Sequence, residues 1–183
     1  SPAEMLECDY LVIGAGTRGL AFVDSLLTFN KTCSVIIADE RDSPGGQWHD
    51  APAFARVAQA SLNYGVPSKK LEETVKRAPG QPPERATRAQ VLSYYEQVMQ
   101  SLENTGRVRY FPLCSVSRDG STMESIVDPD GRWQIEVRNK VVDATFLQTE
   151  LPAARDPPFK VHHDADVIPP NDIASTRSAR SMY

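Results

Sequence analysis

At 183 residues the chain is long enough for one domain with a core, and its net charge of −4 comes without any basic run. That balance excludes an electrostatic role on nucleic acid or on a membrane surface. No apolar stretch approaches the length of a bilayer span either. Lys69, Lys70, Lys76 and Arg77 interleave with Glu72 and Glu73 and read as a solvated face. Cys8, Cys33 and Cys114 form neither a C-x-x-C nor a metal-ligand spacing. Reduced thiols, a cytoplasmic setting and no metal are therefore expected. The start, Ser1-Pro2-Ala3-Glu4, has no signal pattern and no initiator Met, which predicts a processed or excised piece.

The first element is a short apolar strand, Tyr10-Leu11-Val12-Ile13, running into Gly14-Ala15-Gly16-Thr17-Arg18-Gly19. Leu20, Val23, Leu26 and Leu27 then follow at helical spacing, and Val35-Ile36-Ile37-Ala38 is a second strand ending in Asp39-Glu40. In a nucleotide-binding βαβ unit each of these residue types has a reason. Gly14 permits a sharp turn, Gly16 lets backbone approach a pyrophosphate, and Gly19 lets helix and strand pack closely. The helix N-terminus offers N–H groups and partial positive charge to phosphate. An acid ending the second strand accepts from a ribose hydroxyl. Strand before, helix after and an acid about twenty residues on are the context that gives a glycine-rich turn its meaning.

The next stretch, Asp39-Glu40-Arg41-Asp42-Ser43-Pro44-Gly45-Gly46-Gln47-Trp48, resembles the segment after the second strand in flavoproteins with two dinucleotide domains. The chain order is similar to that of the flavin-containing and Baeyer–Villiger-like monooxygenase group, within the glutathione-reductase-type superfamily. The resemblance extends over nearly the whole chain, with its specific motifs confined to residues 10–67. It implies FAD at the first site. Gly14, Gly16 and Gly19 would shape the turn, and Thr17 or Arg18 would cover the pyrophosphate. Asp39 would hold the ribose by its spacing to the Gly-Gly pair, with Glu40 as the alternative. Gly45, Gly46, Gln47 and Trp48 would border the flavin, and Val116 would lend backbone to adenine. Trp48 either stacks on the flavin or simply packs its loop. Superfamily disulfide reductases carry a redox cysteine pair where this chain has Gln47-Trp48-His49, so dithiol chemistry is not expected.

Residues 49–86 read as irregular, punctuated by Pro52, Pro67, Pro79, Pro82 and Pro83, with a short helix at 71–77. Gln59 and Tyr64 would flank the flavin ring by resemblance. Thr87 with Gln90 forms a capping box that opens a helix with a stripe of Val91, Tyr95, Val98 and Leu102, flanked by Leu92 and Met99. Asn104-Thr105-Gly106 ends it. Residues 108–116 then read as a third parallel strand. After that the period becomes two: 125–127, a turn at Asp128-Pro129-Asp130-Gly131, 133–137, a second turn at Asn139-Lys140, and 141–146. By resemblance these form a β-meander at about 122–147, with Trp133 in its core. The expected fold is α/β, a Rossmann-like parallel sheet with that antiparallel meander. The domain is placed at 8–151, followed by a Pro-, Asp- and Ser-rich tail at 152–183 with one strand at 165–168. His162-His163 with Asp164 and Asp166 lacks further spaced ligands, and a metal is not expected there.

No second G-x-G-x-x-G occurs, and Phe54-Ala55-Arg56 does not continue into the F-x-G-x-x-x-H motif of many members. The expectation is the N-terminal FAD half of a flavin-dependent oxidoreductase, monooxygenase-like and acting on a small-molecule substrate. NADPH is implied only for an intact parent, through a missing C-terminal half or partner chain, and no catalytic residue is assigned. The rival reading is a non-catalytic or degenerate Rossmann nucleotide-binding module.

Overall fold

The computed structural model describes residues 4–73 and 85–145. The tail, the strand expected at 165–168 and part of the helix expected at 71–77 lie outside them. The elements are β1 (Glu4–Ile13), α1 (Thr17–Phe29), β2 (Val35–Ala38), β3 (Gly65–Val66), β4 (Lys69–Lys70), α2 (Arg88–Glu103), β5 (Val108–Phe111), β6 (Cys114–Val116), β7 (Thr122–Ser125) and β8 (Arg132–Asp143). One six-stranded sheet runs in the order β5-β2-β1-β8-β7-β6, and β3-β4 is a separate hairpin. β5, β2, β1 and β8 are mutually parallel, whereas β6, β7 and β8 are antiparallel neighbours. This is the expected Rossmann-like α/β architecture with its meander.

Strand β1 begins six residues before the apolar run because Leu6 and Cys8 are buried while Met5 and Glu7 face out. Its length gives β8 a partner from Trp133 opposite Glu4 to Asp143 opposite Ile13, with a register shift between Cys8 and Tyr10. Here one expectation is corrected. Asn139-Lys140 is not a turn: β8 passes through it as one strand, because every residue there has a parallel neighbour in β1 or sits at the register shift. A second correction concerns 108–116. The third parallel strand stops at Phe111, where Pro112 follows and Leu113 takes a φ of 52°, and Cys114–Val116 starts the meander instead. The first meander hairpin is thus 114–116 with 122–125, and 126–131 connects to β8.

Two apolar clusters flank the sheet. On the helical side, Val12, Val35 and Ile37 pack with Leu20 and Val23 of α1 and with Val91, Tyr95 and Val98 of α2. Opposite, Leu11, Ile36, Cys114, Met123 and Ile135 form the second. Trp133 is half-buried against it, edge-on to Phe111 with ring centroids 5.6 Å apart. α2 opens with the expected capping box, Thr87 accepting the Gln90 N–H and Gln90 accepting the Thr87 N–H. Tyr94, outside the predicted stripe, is also fully buried, and its hydroxyl accepts the Val66 N–H and donates to the Lys69 carbonyl, pinning the β3–β4 hairpin onto α2. Buried Asp24 of α1 holds the same hairpin by accepting the N–H and hydroxyl of Ser68. Of the helix expected at 71–77, the described part, Leu71–Glu73, is a 3-10 turn.

Candidate functional site at two glycine turns

The turn from β1 into α1 is built as its glycines require. Gly14 sits at φ +106° and donates its N–H to the Ala38 carbonyl at 2.8 Å. A Cβ on Gly19 would lie 2.0 Å from the Gly14 carbonyl oxygen, so helix and strand meet where only glycine fits. Gly16 is the N-cap of α1, with no side-chain acceptor for the first turn and no acid within it. The N-terminal N–H groups are thus presented without a capping carboxylate, the arrangement that suits an anion. Thr17 and Arg18 are both exposed beside it.

The second glycine pair closes on the first. Gly45 donates its N–H to the Ala15 carbonyl at 3.0 Å. Gly45 and Gly46 have φ of +135° and +53°, and a Cβ on Gly46 would stand 2.8 Å from the Gly16 Cα. Both turns therefore lack side chains at their contact because backbone packs on backbone. Asp39 fastens the assembly: one carboxylate oxygen accepts the Ala15 N–H at 2.5 Å and the other the Arg41 N–H at 2.8 Å. A carboxylate has about four lone-pair sites, so two remain for a ligand. Asp39 is half-buried and Glu40 exposed. Between them, the structure gives Asp39 the anchored position.

Gln47, Trp48 and His49 lie in a 3-10 turn, Gly46–His49. Arg88, at the start of α2, clamps it by donating to the carbonyls of Trp48 (2.8 Å) and His49 (2.5 Å). His49 is half-buried, with Nε2 3.1 Å from the Pro44 carbonyl of its own loop. Gln47 is exposed. Trp48 packs edge-on to Tyr64 and donates its indole N–H to the Tyr64 hydroxyl at 2.9 Å. Tyr95, buried in α2, has its hydroxyl 2.9 Å from that of Tyr64 and donates to Thr17 Oγ1 at 2.7 Å. Burial drives the Tyr95 phenol far above its ordinary range. Gln59 donates its side-chain amide to the Asn63 carbonyl at 3.2 Å.

Val116 is the residue that moves. It ends the first meander strand, opposite Met123, rather than the third parallel strand. The residues that abut Asp39 are instead Phe111 at the end of β5, whose carbonyl accepts the Asp39 N–H, and Cys114 at the start of β6, whose N–H donates to the Asp39 carbonyl. Tyr110 of β5 carries a buried hydroxyl without a hydrogen-bond partner among the described residues, and burial followed by the charge of Asp39 pushes its phenol upward. Arg88 and Tyr95 escaped the sequence reading as site residues, whereas Tyr64 was expected near the flavin. The available signal was Tyr95 on a buried stripe, since a buried phenol usually finds a hydrogen-bond partner.

Cys8, Cys33 and Cys114 are free and buried, and burial raises their thiols. Among the described residues no three His, Cys, Asp or Glu side chains gather as a metal set, and no helix is long and apolar enough to cross a membrane.

No protein-family model matches the chain. Uncharacterized proteins of Mycobacterium tuberculosis and Mycobacterium bovis are each 35% identical to it over 176 residues, 94% of this chain and 32% of theirs. The chain therefore spans about a third of the length of the curated relatives it matches. Among solved structures, a flavin-containing monooxygenase from Stenotrophomonas maltophilia superposes with a TM-score of 0.55 at 27% identity, over 77% of this chain and 39% of that one. A cyclohexanone monooxygenase from Rhodococcus sp. Phi1 (TM-score 0.51, 21% identity, 80% and 27% covered) and a bacillithiol disulfide reductase from Staphylococcus aureus (0.55, 16%, 78% and 39%) share the fold. The chain has the Rossmann-like α/β fold found in flavin monooxygenases.

Proposed function

We propose that this chain is the FAD-binding portion of a flavin-dependent oxidoreductase of monooxygenase type. The observation that carries the reading is the meeting of two glycine turns, Gly14–Gly16 and Gly45–Gly46, backbone on backbone at the uncapped start of α1, with Asp39 fastened beneath them. The residues fit the group. The α1 N-terminus with Thr17 and Arg18 would take the diphosphate, Asp39 the ribose through its remaining lone pairs, and Gly45 to Trp48 the approach to the flavin. Val116 remains a candidate for adenine through its backbone. Bound FAD would supply two-electron chemistry between NADPH and an acceptor, and the protein's part is to hold, orient and shield it.

NADPH use, oxygenation of a small organic substrate, a cytoplasmic setting and a second half or partner chain that completes the nicotinamide site belong to the same proposal, for the whole protein. One observation favours the rival reading of a non-catalytic nucleotide module: the Asp39 carboxylate already serves the protein's own backbone. Anaerobic titration separates the two. The chain alone should not bleach bound flavin with NADPH, whereas the chain joined to a downstream half, fused or separate, should. A completed protein that binds FAD but never accepts electrons from NADPH would support the rival.

A further inference from the structure

A cleft of about 210 Å³ opens between the last turns of α1 and α2 and the β3–β4 hairpin, two to three turns along α1 from Thr17. Asp24 forms part of its wall, a carboxylate 4% exposed that accepts, among the described residues, only from Ser68, through the N–H at 3.0 Å and the hydroxyl. Lys69, the next residue of the hairpin, lines the same cleft. No ion pair among the described residues includes Asp24 or Lys69, so the two do not meet each other. A buried charge ordinarily has a counter-charge, and this cleft holds one unmatched charge of each sign. Its hydroxyls are acceptors. Thr28 donates to the Asp24 carbonyl at 3.0 Å, Ser101 to the Gln97 carbonyl at 2.8 Å and Thr105 to the Leu102 carbonyl at 2.6 Å. A carbonyl can only accept, so those three protons are committed and lone pairs are what remains. Both helices end here, which adds partial negative charge, and neither has a basic residue in its last turn. Arg107, also in the lining, gives two of its five N–H groups to the Leu27 and Asn30 carbonyls.

We propose that this cleft binds a small zwitterion of the α-amino-acid type. Its ammonium would meet Asp24 and the hydroxyl oxygens of Thr28 and Ser101, and its carboxylate Lys69 and Arg107. An aliphatic side chain would lie on Leu27, Val98 and Leu102, the apolar part of the lining. The chemistry of the wall selects that class. An ammonium brings three donors and no acceptor to a surface of acceptors. A lone cation would also face Lys69 and Arg107, and a lone anion would face Asp24 and two helix C-termini. The site shares no residue with the glycine turns and goes beyond the FAD reading.

The test titrates the full chain with L-leucine, isoamylamine (its ammonium half) and isovalerate (its carboxylate half), read by calorimetry and by amide NMR shifts. L-leucine should bind saturably and shift the amides of Ser68 and Ser101. Each half-molecule should bind about ten-fold more weakly or worse, having lost the hydrogen bonds of one charged group. Asp24→Asn, which keeps the shape, should weaken L-leucine by a similar factor. Lys69→Met should do the same, and it decides the matter if Asp24→Asn fails to fold. Ser101→Ala, at an exposed position, should cost a few-fold. Absence of saturable L-leucine binding would overturn the proposal, as would L-leucine binding that Lys69→Met and Ser101→Ala leave unchanged. Isoamylamine binding as tightly as L-leucine, and tighter still in Lys69→Met, would replace the zwitterion site by a plain cation site. Isovalerate binding as tightly, with Asp24→Asn silent, would replace it by an anion site.

Discussion

The Asp39 carboxylate accepts the backbone N–H of Ala15, inside the glycine turn, at 2.5 Å. The acid expected to meet a ribose is thus also the clasp that holds β2's end to the β1–α1 turn, with its second oxygen on the Arg41 N–H. Asp39→Ala should therefore lower stability as well as FAD affinity, each by about 1.5–3 kcal/mol, the range for hydrogen bonds to a charged group. Glu40→Ala, at an exposed position, should change neither. Chemical denaturation with parallel FAD titration checks this, and a silent Asp39→Ala beside a costly Glu40→Ala would reverse the assignment.

Gly19→Ala tests the packing of helix on strand. The added methyl would fall 2.0 Å from the Gly14 carbonyl oxygen, a backbone atom that cannot swing aside. A loss of about 3 kcal/mol, the upper end of the usual overpacking range, is expected in the unfolding free energy. Gly16→Val should act differently. It should abolish FAD binding, because a branched side chain there meets the Gly46 backbone and fills the approach to the α1 N-terminus.

Arg88 fixes the second glycine loop through two carbonyls at once. Arg88→Lys should loosen it nearly as much as Arg88→Ala, since an ammonium lacks the planar fork that spans both acceptors. The expected result is a several-fold loss of FAD affinity in both variants. Retention of full affinity by Arg88→Lys would show that charge alone suffices.

Much of this site was legible in the sequence because glycine spacing and strand–turn–helix context report backbone requirements directly. Gly14, Gly19, Gly45 and Gly46 occupy conformations or contacts that other residues would disturb. The capping box of Thr87 and Gln90 was equally plain, being a local contact between residues three apart. What failed was non-local. Asn139-Lys140 has the composition of a turn, and only the long parallel partner β1 makes it strand. Val116 was misplaced because Pro112 and Leu113 break an apolar run that looks continuous. The bond from Tyr95 to Thr17 joins residues 78 apart, beyond the reach of any periodicity.

A pH prediction concerns Asp9 of β1. Arg138 Nε bonds Asp9 at 2.9 Å and, with the Ser34 N–H, holds its carboxyl down at about 2 against an ordinary 3.8. The folded value is depressed, so this contribution is fully present above about pH 4 and is lost as pH falls toward 2. Arg138→Gln should return the Asp9 titration toward the ordinary value, as followed by carboxyl carbon NMR. An unchanged midpoint would assign the shift to Ser34 alone.

The most direct test of the central claim is to purify the full chain, saturate it with candidate nucleotides and identify by chromatography what is bound and released on denaturation. The account predicts saturable binding of FAD in preference to NAD and FMN, lost in Gly16→Val. Recovery of NAD alone, or no saturable FAD binding by either the chain or its extended parent, would contradict it.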